Sequence, residues 1–340
     1  MKKVKWLGES KFRIEEAPHP NASVLATHEV LLQVKAVGIC KTDIHIMEGR
    51  LPDVSPPRIL GHEIAGIVDR VGSGVLRVKP GDRVTCDSVV GCGHCDDCHK
   101  GSRQFCRNGY EFGFGHDGGC QESLVMPEEN LHPIGDSISM EEAAILDMEV
   151  LAALRRAGTI QGETVLIIGS GPAGLVATQV ARILGAQKVF LSGDTEKKLR
   201  LGRLLGADRI VDIRSEDLGT VIKHETRGRG VDMAMDCAGT SESFAQALEL
   251  AAPGARVVLY GVYPDPLPEA RVLKIVLKNL CVYGSVCDRV GWNDVIAWVE
   301  QGRLNLKELI THTFPLEEAP HAYEYVRQGS DELVKAVLKV

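Results

Sequence analysis

Ten cysteines stand in this chain of 340 residues, and four of them crowd together as Cys92, Cys95, Cys98 and Cys106. The C-x2-C-x2-C-x7-C spacing lets four thiolates close a tetrahedral zinc shell with no open position, the mark of a structural site. Gly91, Gly93 and Gly101 permit the tight turns of such a loop, and His94 and His99 read as exposed loop residues. A second, scattered set is also zinc-competent: Cys40 in Gly38-Ile39-Cys40-Lys41-Thr42-Asp43-Ile44-His45, and the pair His62 and Glu63 after Gly61. Three protein ligands with an open fourth position describe a catalytic zinc. Taken one at a time, however, they read as a buried cysteine, a satisfied histidine and a solvated glutamate. A third signal is Gly169-Ser170-Gly171-Pro172-Ala173-Gly174, a G-x-G-x-x-G turn. It gains meaning from its place between an apolar run, Thr164 to Ile168, and a helical pattern carrying Leu175, Val176, Gln179, Val180, Ile183 and Leu184 on one side.

These groups need elements to hold them. The first 150 residues read as β-rich: Val30 to Val37 and Ile64 to Val71 are strand patterns, punctuated by Gly72-Ser73-Gly74 and Lys79-Pro80-Gly81-Asp82. Short strands so spaced suggest a barrel-like domain. Met140 to Arg156 reads as one apolar-rich helix, with Ser139 and Glu142 as a capping box and Gly158 beyond its end. From Glu163 onward, strands at Thr164–Ile168, Lys188–Ser192, Arg209–Asp212, Val231–Asp236, Ala255–Tyr260 and Leu280–Ser285 alternate with helices, which predicts a doubly wound parallel sheet. The expected division is residues 1–150, 151–287, and a segment 288–340, with a helix Asn293–Gln301 and a strand Leu333–Val340, that returns to the first domain.

In a doubly wound sheet the glycines let the backbone approach a pyrophosphate, and the helix N-terminus meets it with open N–H groups. Cofactor choice turns on the end of the second strand. Asp194 follows Gly174 by the ~20 residues expected of an acidic group that binds ribose hydroxyls, which points to NAD. Gly193 and the nearby Lys197 and Lys198 leave room for the 2′-phosphate of NADP, and Asp194 read blandly is a helix cap.

Composition narrows the partners. Lys plus Arg is 39 and Asp plus Glu 46, a formal net charge of −7. A net acidic chain without a basic cluster is a poor match to a nucleic-acid backbone. No apolar run reaches the ~18 residues of a membrane span, and no secretory signal follows the basic N-terminus. A cytoplasmic protein with metal-ligating rather than disulfide-bonded cysteines is expected.

Gly61-His62-Glu63-Ile64-Ala65-Gly66-Ile67-Val68-Asp69-Arg70-Val71-Gly72-Ser73-Gly74-Val75 matches the zinc-containing alcohol dehydrogenase signature. With Gly38 to His45, the four-cysteine loop and the glycine turn in that order, the whole chain resembles the zinc-dependent medium-chain dehydrogenase/reductases. It is most similar to the polyol (sorbitol-type) and threonine dehydrogenase branch. The resemblance implies an α/β protein with a β-rich GroES-like catalytic domain and a Rossmann dinucleotide-binding domain. It implies two zincs per chain, the catalytic one held by Cys40, His62 and Glu63, and a proton relay at Thr42 and His45. The branch also places a carboxylate early in the interdomain helix. Ungapped, that position falls on Ile145, and of the neighbours Asp147 and Glu149, Asp147 is the expected fourth ligand. The resemblance further implies a homodimer or tetramer through the last sheet strand.

The expected activity is hydride transfer between a secondary alcohol, such as a polyol, and NAD, with NADP the competing cofactor. His116, Asp117 and Glu122 point to a polar, polyhydroxylated substrate. The alternatives are a metal-independent quinone or enone reductase of the same fold, and a non-catalytic zinc- or dinucleotide-binding protein.

Overall fold

The computed structural model describes residues 1–51, 54–146, 149–263, 272–287 and 290–340, apart from the side chain of Ala22. The chain divides into two units, Met1–Leu146 with Ile310–Val340, and Asp147–Leu309.

The first unit is built on a long strand, Glu29–Ile39, which pairs antiparallel with Glu63–Val71, Ser123–Pro127 and Lys335–Lys339. Its sheet runs Ile310–Pro315, Lys335–Lys339, Glu29–Ile39, Glu63–Val71, Arg83–Cys86, Leu131–Pro133. Val30, Leu32, Val34, Ile64, Val84 and Leu131 are buried beneath it, so alternate side chains of several strands make one core. The register matters more than the sheet. Gly38 lies opposite Glu63 and Val337 opposite Gly38. Three segments far apart in sequence therefore bring Cys40, Glu63 and Lys335 to one end.

The second unit is a six-stranded, all-parallel sheet in the order Arg209–Asp212, Lys188–Gly193, Thr164–Ile168, Val231–Asp236, Ala251–Leu259, Cys281–Gly284. Val165, Leu166, Ile167, Val189, Phe190 and Leu191 are wholly buried, as central strands covered on both faces must be. All six strands expected from sequence are present.

Two expectations fail. The helix read across Met140 to Arg156 is two helices, Met140–Ala144 and Glu149–Arg156. Ile145 ends the first at φ −98°, ψ 11°. Ala143 and Ala144 are buried in the first unit, whereas Val150, Leu151 and Leu154 belong to the second, and an apolar run cannot show that two cores share it. The C-terminal return begins at Ile310, not at residue 288. The helix Trp292–Glu300 stays with the parallel sheet: Val295 and Ile296 are buried, and Asp294 pairs with Arg155 at 2.7 Å. Just beyond it, Gln179 both donates to the Asn305 carbonyl at 3.0 Å and accepts from its N–H at 2.7 Å.

Candidate metal centres and cofactor turn

Cys40, His62 and Glu63 converge: one ligand atom from each lies within 4.8 Å of the others. Cys40 is the N-cap of the helix Lys41–Met47, where its sulfur accepts from the Thr42 N–H at 3.5 Å and lies 3.4 Å from Thr42 Oγ1. The wholly buried Asp43 locks this corner. Its Oδ2 accepts the Cys40 N–H at 3.0 Å, and its Oδ1 stands 3.2 Å from His62 Nδ1. That contact assigns a proton to Nδ1 and leaves Nε2 with a lone pair for a metal. Burial pushes the His62 imidazole pKa down, but the attraction and hydrogen bond of Asp43 outweigh it and hold the pKa well above the usual value.

Glu63 is divided between two tasks. Its Oε1 accepts from Lys335 Nζ at 2.6 Å. Its Oε2 is buried and has no hydrogen-bond partner among the described residues. A buried carboxylate oxygen without a partner is costly, and a cation supplies the partner it lacks. Gly38 makes the room, since a Cβ there would overlap Glu63 Oε2. Burial lowers the Lys335 pKa, but the neighbouring Glu63 and Cys40 charges raise it overall, so it stays an ammonium. Asp43 and Lys335 are functional residues that sequence reading missed. Lys335 lies 272 residues from Glu63, and nothing in its own neighbourhood marks it. The donor set fits zinc: a thiolate, an imidazole nitrogen and a carboxylate oxygen, with Asp43 orienting the imidazole.

Thr42 and His45 are three residues apart on the Lys41–Met47 helix and so share a face. Thr42 is partly buried and His45 is 8% exposed. Asp147 lies outside the described residues; Glu149 opens the helix Glu149–Arg156.

The four-cysteine loop has the dimensions of a closed site. Cys92 and Cys98 sulfurs are 3.9 Å apart, and Cys95 and Cys106 sulfurs 3.8 Å. A tetrahedron with Zn–S of ~2.3 Å has an edge of ~3.8 Å. Backbone N–H groups of Cys92 and Cys98 already point at the sulfurs of Cys106 and Cys95, at 3.3 and 3.5 Å. Without a metal the thiols compete for protons. The His94 amide helps hold Cys92 down at about 6. At Cys95 the Cys98 amide pulls the same way, but desolvation and hydrogen bonds to the other sulfurs win and push it up to about 11. A divalent cation removes that conflict.

In the second unit, Gly169 turns at φ 104°, and a Cβ on Gly174 would overlap the Gly169 carbonyl oxygen. Both glycines are required by the chain itself. Gly171 is not: it caps the helix Pro172–Ile183 with φ −71°, and a Cβ there would meet no protein atom within 4 Å. No side chain caps that helix, so its first N–H groups face open space. Gly193 has a structural reason of its own, because a Cβ would overlap the Ser170 hydroxyl of the turn. Asp194 is exposed just past the strand, and the helix N-cap is Thr195, so Asp194 is not the cap. The turn's neighbour Asp236, wholly buried, accepts from Ser243 Oγ at 2.7 Å, from the Ala238 and Gly239 N–H groups, and from Tyr263.

The groups read from sequence as a polar substrate wall have structural employment. Asp117 accepts the Ile59 N–H at 3.0 Å, and Glu122 accepts the Lys2 N–H at 2.8 Å. His116 stacks on Tyr110 at 3.7 Å.

The first unit contains a match to the alcohol dehydrogenase GroES-like domain over residues 26–136, and the second a match to the zinc-binding dehydrogenase domain over 172–301. An L-threonine 3-dehydrogenase of Anaeromyxobacter sp. (strain Fw109-5) is 34% identical over 329 residues, covering 94% of each chain. The chain is a zinc-dependent medium-chain dehydrogenase/reductase. Among solved structures, galactitol-1-phosphate dehydrogenase from Escherichia coli superposes with a TM-score of 0.91 at 27% identity, covering 100% of both chains. A Sinorhizobium meliloti 1021 protein described as a zinc-binding dehydrogenase, bound to NADP, gives 0.91 at 30% identity, covering 100% of this chain and 99% of that one. The dehydrogenase is accordingly an enzyme that oxidises alcohol hydroxyls with a nicotinamide cofactor. No helix among its described residues is long and apolar enough to cross a membrane.

Proposed function

We propose that this dehydrogenase holds two zinc ions per chain, a catalytic one on Cys40, His62 and Glu63 and a structural one on Cys92, Cys95, Cys98 and Cys106. It oxidises a secondary alcohol of a polyol or related hydroxy compound, with NAD as the preferred acceptor. The observation that carries this reading is the convergence of the three ligand atoms within 4.8 Å around a partnerless Glu63 oxygen.

Zinc on Cys40, His62 and Glu63 would supply Lewis acidity, and a nicotinamide cofactor on the glycine turn would supply the hydride acceptor. The chain's own residues handle the rest. Thr42 accepts the proton of the substrate hydroxyl, and His45, on the same helix face, carries it toward water. Gly169, Gly171, Pro172, Ala173 and Gly174 form the turn and helix N-terminus for the pyrophosphate. Asp194 accepts from the ribose hydroxyls, and its charge opposes a 2′-phosphate. The chain acts in the cytoplasm as a homodimer or homotetramer, paired through its outer sheet strand.

Elemental analysis tests the metal assignment. Two zincs per chain are expected, falling to about one after gentle chelation, because four thiolates hold zinc more firmly than the mixed set. A single zinc in the untreated protein, retained with full NAD reduction at 340 nm, overturns the catalytic site. Asp194→Ala tests the cofactor: NAD efficiency should fall while NADP efficiency rises, and an unchanged preference overturns the role of Asp194.

A further inference from the structure

Glu111 is a half-buried acidic residue that spends only one of its oxygens within the described fold. It lies in the short strand Tyr110–Glu111, opposite Val89, and its Oε1 accepts from Ser88 Oγ at 2.9 Å. Its Oε2 takes no hydrogen bond from the described residues, and no described lysine or arginine pairs with it. This segment is tied to the metal ligands. Gly113 packs on Gly61 so closely that a Cβ would come within 3.0 Å of its carbonyl carbon. The Gly118, Gly119 and Cys120 N–H groups donate to the carbonyls of Ile59, Gly61 and Leu60, immediately before His62. Phe114, three residues beyond Glu111, sets its ring 5.2 Å from the His62 ring. Burial pushes the Glu111 carboxyl pKa up, and the pull of His62 and the Ser88 hydrogen bond oppose it.

We infer that Glu111, steadied by Ser88, is the residue that selects substrate: Oε2 accepts a hydrogen bond from a second donor group on the alcohol, a hydroxyl of a polyol or the ammonium of an amino alcohol. An apolar side chain at this place would suit simple alcohols. A half-buried carboxylate oxygen instead penalises them, because an apolar substrate strips its water and returns no donor. Ser88 occupies one lone pair of the other oxygen and fixes the carboxylate's orientation. This assignment rests on the catalytic reading of Cys40, His62 and Glu63.

The test is steady-state oxidation of 2,3-butanediol, 1-amino-2-propanol and 2-butanol, with NAD, by the zinc-loaded wild type, Glu111→Gln and Glu111→Leu. The wild type should prefer one of the two donor-bearing substrates over 2-butanol. Glu111→Leu should lose that preference at least tenfold in kcat/KM, mainly through KM, while 2-butanol is oxidised as well as before or better. If the donor is a hydroxyl, Glu111→Gln keeps much of the diol activity; if it is an ammonium, Glu111→Gln loses the amino alcohol as fully as Glu111→Leu does. Equal losses on all three substrates, with zinc content and melting temperature unchanged, overturn the selective role, as does an unaltered preference in both variants. A wild type that holds zinc and oxidises none of the three, nor any polyol, fails the catalytic reading itself, which sets that outcome apart.

Discussion

Asp43 shows how one buried side chain can set the chemistry of another. One oxygen accepts the Cys40 N–H and the other stands 3.2 Å from His62 Nδ1, so a single carboxylate sits against both ligands. Asp43→Asn keeps the shape and removes the charge. Zinc affinity should fall about 10- to 100-fold, as loss of such orienting partners does elsewhere. Competition against a chromophoric chelator measures it, and an unchanged affinity removes Asp43 from the site. His45 belongs to the proton path rather than to the metal. His45→Ala should reduce turnover most at low pH, where hydroxide cannot substitute, within the roughly 10²–10⁴-fold that positioned proton transfer contributes. A loss that is uniform from pH 6 to pH 9 points to damaged folding instead. Neither Asp43 nor Lys335 was legible in the sequence. A carboxylate beside Thr42 looks like any helix-cap neighbour, and the Lys335–Glu63 pair exists only because two strands meet on either side of Gly38.

At the scale of the element, the glycine turn separates two reasons for having a glycine. Gly174 answers to the Gly169 carbonyl, so Gly174→Ala should cost about 1–3 kcal/mol of stability as an overpacked site. Gly171 answers to nothing in the protein and has an ordinary φ of −71°. Gly171→Ala should therefore melt at the wild-type temperature and bind cofactor more weakly, because a methyl group would stand where the pyrophosphate must approach. NADH fluorescence titration beside a thermal melt checks both, and a Gly171→Ala protein with normal cofactor affinity would exclude this turn as the phosphate site. The sequence revealed these elements well where physics is local. Strands covered on both faces leave apolar runs such as Val165 to Ile168, and the four-cysteine spacing needs no partner from elsewhere in the chain. It revealed them poorly where two cores divide one apolar stretch, as at Ile145, and where a carboxylate's role depends on which neighbours it finds. Asp117 and Glu122 bind backbone, while Glu111, unremarked in sequence, keeps an oxygen open.

At the scale of the whole molecule, the two margins of the parallel sheet are unlike. Arg209–Asp212 is partly covered, with Val211 fully buried. Cys281–Gly284, at the other margin, is exposed along most of its length, and Val282 is 37% exposed. The helix before it, Val272–Leu277, buries no residue, and Leu273, Val276 and Leu277 are 67%, 69% and 75% exposed. An uncovered apolar strand edge invites further strand pairing, and natural proteins cover, charge or pair such edges. No charge interrupts Cys281-Val282-Tyr283-Gly284, so the expected outcome is that this edge pairs with a second copy. A two-fold axis at this margin would join two sheets and cover both helices with one self-complementary surface. Light scattering should give at least twice the chain mass at micromolar concentration. Val282→Lys with Leu277→Lys places like charges against their own copies across the axis and should shift the population to single chains, with both zincs retained. A wild type that scatters as a single chain at that concentration refutes the pairing. A double variant that stays dimeric moves the interface away from this margin.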